Sequence, residues 1–129
     1  IVEVRITLDN ALAEPVTHAW HNRHDPELDT LVDNIEHLAS QGKLFTDQDR
    51  RFHTRLLQPL DNHLYLHLTE AFWAIHTLTV PLLDAPKLED LTSTAKAHRA
   101  MLQAAHAGDT PAYRKAITDH YAPLLAVLT

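Results

Sequence analysis

Apolar residues recur at three- and four-residue spacing along almost the whole chain, and the interruptions fall at turn-forming residues. That pattern predicts helices joined by short turns. The first segment should run from about Val2 to Asn22, with Val4, Leu8, Ala11 and Leu12 on one side and Pro15 kinking or restarting it. Asp25-Pro26-Glu27 supplies an N-cap, a proline at the first helical position and an early acid; Leu28, Leu31, Val32, Ile35 and Leu38 follow at helical spacing until Gly42. Thr46 and Asp49 resemble a capping box for a third helix from about Asp47 to Gln58, ended by Pro59. A fourth, from about Leu60 to Thr79, is apolar nearly all round (Leu64, Leu66, Leu68, Phe72, Trp73, Ile75) and is expected to be the most buried. Pro81 to Pro86 reads as a connection. The fifth helix spans about Thr92 to Ala107 and stops at Gly108; Asp109-Thr110-Pro111 opens a sixth that runs to the end, with Pro123 bending or fraying it. With no repeat and no long linker, the expectation is one all-α antiparallel bundle over residues 1–129.

Composition narrows the class. The 129 residues are 45% hydrophobic and 22% charged, with only two glycines, which disfavours a β sandwich or a Gly-rich nucleotide fold. The absence of cysteine removes disulfides and thiolate metal sites and is compatible with the cytoplasm. No apolar run approaches the roughly 20 residues that span a bilayer, so a soluble chain with no membrane partner is expected. Eleven Lys and Arg against 17 acids give a formal net charge of −6, a poor balance for binding nucleic acid directly. The chain opens IVEVRITLD, without Met and already inside an amphipathic pattern, and so reads as a piece of something longer.

Eleven histidines are a surplus. His18, His21, His24, His37, His63, His67, His76 and His106 fall on faces or ends where a solvated or singly bonded ring suffices. The other three interrupt apolar stripes: Phe45, Asp49, Phe52, His53, Leu56; then Ala95, His98, Met101, Leu102, Ala105; then Tyr113, Ala116, Ile117, His120, Leu124. His98 and His120 lie eleven residues before and after Asp109. In an antiparallel hairpin turning there, both stand about 16 Å from the turn and face one another. Burying one unsatisfied polar group costs roughly 2–7 kcal/mol, so Asp49 and three inward histidines need partners. A hydrogen-bonded Asp-His network without metal meets that need. So does a divalent ion held by one carboxylate oxygen and three imidazole nitrogens, a set suited to zinc, nickel, iron or manganese, with open positions for a small molecule. Spacing leaves both open.

AHRAMLQAAHAGDTPAYRKAITDHY, residues 97–121, resembles the hallmark of the FCD domain, the C-terminal effector-binding domain of FadR-subfamily GntR transcriptional regulators. The matching positions are His98, Gly108-Asp109, Ala112 and His120. DQDRRFHTRLLQPLDN is similar to the family's D-x-x-F-H segment with an asparagine nine residues on, giving Asp49, Phe52, His53 and Asn62. The opening VEVRITLD resembles its E-x-R-x-x-L-E start, giving Glu3, Arg5, Leu8 and Asp9. The resemblance implies a bundle of six or seven helices and a divalent metal, zinc foremost, held by Asp49, His53, His98 and His120. It also implies a small organic-acid or sugar-acid effector whose carboxylate completes the coordination, with Arg5 and Asn62 as effector contacts. A homodimer is implied as well, meeting DNA only through an N-terminal winged helix-turn-helix domain absent from this chain.

Two departures stand out: AEPVTHAWHN carries Pro15, His18 and Trp20 where the family is Ala-rich, and Pro123 follows His120 closely, so the wall and the last helix should be reshaped. Two rivals remain. A hemerythrin-like oxygen or iron carrier would use His63/His67 and needs a second metal with bridging carboxylates, for which only His21/Asp25 offers itself. A metal-dependent enzyme would need a general base, and no spare inward acid or nucleophile motif is evident, so a non-enzyme is expected.

Overall fold

A computed structural model describes residues 2–79 and 87–128. Among them are seven helices and no strand: α1 Val2–Ala11, α2 Ala13–Trp20, α3 Pro26–Ser40, α4 Thr46–Leu57, α5 Leu64–Thr79, α6 Leu88–Ala107 and α7 Thr110–Leu128. The expected first helix is two. Pro15 has no N–H for the carbonyl of Ala11 and its ring crowds that group, so α1 ends there and α2 restarts after Leu12. Val4 (55%) and Ala11 are exposed, contrary to the expected stripe, while Arg5, Leu12, Ala13 and Val16 turn in.

The sequence signals for α3 act as expected. Asp25 accepts the Glu27 N–H at 3.0 Å, Pro26 opens the helix, and Gly42 adopts φ +69° after its end. At α4 the Thr46 capping box does not form: Phe45 is the N-cap residue, no side chain caps the helix, and Asp49's carboxylate turns inward. Helix α5 starts later than expected, after a turn in which Asn62 Oδ1 accepts the Leu64 N–H at 3.0 Å. Nor is it the most buried: Leu64 (57%) and Leu78 (77%) are exposed, and among its described side chains only Thr69 and Trp73 are buried. An all-round apolar helix buries only the side its neighbours cover, and α5 packs chiefly along α4. The Pro81 to Pro86 connection lies outside the described residues.

Helices α6 and α7 form the expected hairpin, its helices unbroken through Pro123. Gly108 closes α6 with φ +67°, its N–H reaching the carbonyl of Ala105 at 3.1 Å while the Asp109 N–H reaches Ala104 O at 2.9 Å. Asp109 Oδ1 then accepts the Ala112 N–H at 3.1 Å and starts α7. Helix α3 lies beside α6, α4 beside α3, α2 against α6 and α7, and α1 on α7. Leu28, Ile35, Phe52, Leu56, Met101 and Ile117 fill the interior between them. Trp20 Nε1 donates to Leu56 O at 2.8 Å, tying α2 to α4, and Arg99 reaches Glu36 Oε1 at 2.6 Å, tying α6 to α3.

The Gly108 turn sets the hairpin register, so its conformation is the exposed point of the fold. An added Cβ would suffer the left-handed φ and meet His21 Cγ at 3.0 Å. Gly108→Ala is expected to lower stability by about 1–2 kcal/mol in urea unfolding; an unchanged midpoint would show that the turn accepts a side chain.

Candidate metal centre

Four side chains from three helices meet in the interior. Asp49 and His53 sit one turn apart on α4, His98 in the middle of α6 and His120 on α7. Asp49 Oδ1 lies 2.7 Å from His98 Nε2, 2.9 Å from His53 Nε2 and 3.4 Å from His120 Nε2, and the two nitrogens of His53 and His120 are 3.1 Å apart. One ligand atom from each falls within 4.8 Å of the others. The equal distances of His98 and His120 from Asp109 have the consequence expected of a hairpin: their rings are 4.6 Å apart. Apolar walls enclose the group, with Phe45 and Phe52 edge-on to His98 at 6.0 and 5.1 Å.

Protons cannot satisfy every contact. The Thr94 carbonyl, 2.8 Å from His98 Nδ1, can only accept, so Nδ1 carries the hydrogen. A neutral His98 then points a lone pair from Nε2 at the Asp49 carboxylate, and a proton or a cation must lie between them. Burial works to raise the Asp49 carboxyl, yet the charge of His98 and hydrogen bonds from His120, His53 and His98 hold it well below its usual 3.8. His120 is pushed the other way, down to about 3, by burial first and His98's charge second, despite Asp49. A neutral His120 that gives Nε2 to a metal would carry its proton on Nδ1, which has no partner among the described residues. Donor atoms bonded at about 2.1 Å to one ion stand about 3.0 Å apart at right angles and about 3.4 Å apart in a tetrahedron. Four of the six donor pairs run from 2.7 to 3.4 Å and all stay within 4.8 Å, a grouping tight enough for a divalent ion held by the nitrogens and one anionic oxygen.

A second polar layer adjoins the first. Arg5 is 5% exposed, its guanidinium 4.6 Å from the centre of the Trp73 ring and 5.3 Å from that of Tyr121, with no carboxylate at ion-pair distance among the described residues. Tyr121 donates its hydroxyl to Asp9 Oδ2 at 2.6 Å. Burial raises the Asp9 carboxyl above its usual value, against the opposing influence of His53, Tyr121 and Arg5. Trp73 lies 5.9 Å from His53, ring to ring, and 4.8 Å from His76. Arg5 is thus brought to the cluster's neighbourhood, while Asn62 is exposed and caps α5. The sequence marked Asp9 only as a motif position and gave Trp73 and Tyr121 no place in the site. Asp9 is one helical turn from Arg5 and Tyr121 adjoins His120, but a tryptophan on an apolar helix gives no such signal. Asp9 is also an inward acid that the stripes did not reveal. His63 and His67 are exposed, and among the described residues only the Asp49 group gathers three or more metal-ligating side chains. No helix there is long and apolar enough to cross a membrane.

The unfolded chain binds a proton at His120 between pH 6.5 and about 3 that the folded chain refuses, so stability drops as pH falls through that window. Asp49, with its carboxyl lowered, adds stability above pH 3.8 that is lost as pH falls further. Chelator-treated protein is therefore expected to melt at steadily lower temperature below pH 6.5. His120→Asn should flatten the slope. An identical slope in the variant would remove His120 from the account.

The FCD domain profile matches residues 1–123. A relative from Micromonospora viridifaciens described as "Putative transcriptional regulatory protein NedR" is 47% identical over 104 residues, covering 81% of this chain and 75% of that protein. No solved structure matches. With almost its whole length inside the profile and the three motif histidines and Asp49 gathered at one point, this chain belongs to the FCD domain family.

Proposed function

We propose that this domain is the ligand-sensing and dimerising part of a cytoplasmic transcriptional regulator of the FadR-subfamily GntR kind, controlling DNA binding by a winged helix-turn-helix domain on the same polypeptide. Asp49, His53, His98 and His120 hold one divalent ion, zinc first, with nickel, iron or manganese as alternatives. The observation that carries this reading is the convergence of a carboxylate oxygen and three imidazole nitrogens in a buried site where a proton or cation must sit between them. A bound ion supplies open coordination positions to the carboxylate of a small organic or sugar acid.

The chain's own residues do the rest. His98 is held in the right tautomer by the Thr94 carbonyl, as metal-ligating histidines commonly are by an outer partner. Arg5 is a buried cation with no carboxylate at ion-pair distance among the described residues, set over two rings, and it supplies a charge that an anionic effector would neutralise. Asn62 serves as the cap of α5 and is the weaker effector contact of the two. The relative's regulator name and the family support a sensor over a catalyst. Asp9, the acid nearest to a general base, is engaged by Tyr121. Regulation further requires that the acid bind two arrangements of the dimer with different affinity.

Purified protein is expected to carry one ion per chain, lost in His98→Ala; no metal in either would leave a proton-bridged network. Small carboxylic acids should raise the melting temperature only of the metal-loaded form, because a ligand that binds the folded state alone stabilises it. Arg5→Ala should weaken that binding by about tenfold or more. Saturating acid should change operator affinity of the intact regulator, and unchanged affinity would end the regulatory reading.

A further inference from the structure

A buried indole N–H beside the cluster has no acceptor among the described residues. Trp73 is 1% exposed, and its Nε1 makes no hydrogen bond among the described residues. The fold treats its other tryptophan differently, since Trp20 Nε1 donates to Leu56 O at 2.8 Å. Buried tryptophans normally find a partner for the N–H, and a phenylalanine or leucine would fill apolar space without leaving a donor unmet.

The position of the ring gives the unmet donor a meaning. One face carries the Arg5 guanidinium at 4.6 Å, and His53 and His76 lie 5.9 and 4.8 Å away, ring to ring. Trp73 therefore bridges the proposed metal ligands and the proposed carboxylate-binding cation. Among the described residues two buried side-chain nitrogens here lack a partner: Trp73 Nε1, a donor, and His120 Nδ1, a donor once Nε2 meets a metal; the Arg5 guanidinium beside them has no carboxylate at ion-pair distance. A simple monocarboxylate, its two oxygens directed at metal and Arg5, offers no further oxygen away from that carboxylate to the indole.

We infer that Trp73 is a specificity-determining effector contact, its Nε1–H donating to an oxygen of the acid beyond the carboxylate that meets the metal. The domain then selects acids carrying a second oxygen function, a hydroxyl, carbonyl or further carboxylate, over plain monocarboxylates. This rests on the effector site proposed above.

The zinc-loaded domain, labelled with nitrogen-15, has two indole N–H signals, from Trp20 and Trp73, and is titrated with acetate, glycolate and malate. Glycolate and malate should move the Trp73 signal toward that of a hydrogen-bonded indole and leave Trp20 in place. In Trp73→Phe, zinc content should be unchanged and the ligand-free melting temperature equal to wild type or higher. Its affinity for glycolate and malate should fall about tenfold, with acetate unaffected. A stationary Trp73 signal with the affinities of Trp73→Phe unchanged overturns the assignment and leaves the indole a packing role, while the effector site stands. If none of the acids perturbs the zinc-loaded wild type, the effector reading fails and the inference fails with it.

Discussion

Asp49 Oδ1 faces three imidazole nitrogens at 2.7, 2.9 and 3.4 Å inside an apolar bundle, and the arrangement of the other helices can be read as what that meeting demands. A carboxylate in such surroundings is stable only if cations or donors surround it. Three helices must then keep their rotation and height together, because moving any ligand by one residue swings it through about 100°. The Gly108-Asp109 turn fixes α6 against α7, the bond from Trp20 to the Leu56 carbonyl fixes α4 against α2, and Arg99 fixes α6 against α3. None of these groups touches the cluster.

The polar layer beyond His53 draws mostly on different elements, with Tyr121 of α7 the exception. Arg5 and Asp9 stand on α1 and Trp73 on α5, helices at the margin of the bundle, whereas the proposed ligands come from α4, α6 and α7. In the proposed sensor this separates tasks: the inner helices hold the ion, and the outer ones meet the effector. A ligand that joined the two layers would give α1 and α5 an interaction that the metal centre alone does not provide. Such differential contact is the physical requirement for any ligand-driven shift.

How much of this was legible depended on the kind of signal. His98 and His120 were readable because hairpin geometry turns equal sequence distance from a turn into equal height, and Asp49 and His53 because a polar residue on an apolar stripe must be satisfied. The caps at Asp25, Gly108 and Asp109 were readable because each backbone conformation asks for a particular residue. Burial on α5 was not. Its sequence is apolar on every side, so periodicity could not reveal that α4 covers one strip and leaves Leu64 and Leu78 outside. The inward turn of Arg5 was obscured by its charge: the residue shares a helical face with the buried Leu12 and Val16, but a guanidinium adds nothing to an apolar stripe. Thr46 misled for a related reason: a capping box needs a carboxylate that the interior has claimed.

The central claim is that Asp49, His53, His98 and His120 are ligands of a single ion. X-ray absorption at the metal edge of the zinc-loaded domain tests it most directly, because imidazole rings leave a distinctive outer-shell scattering pattern. Three imidazoles and at least one carboxylate oxygen are expected about the metal, with one imidazole lost in His120→Ala. A shell of oxygens alone, or an imidazole count untouched by that substitution, would contradict it.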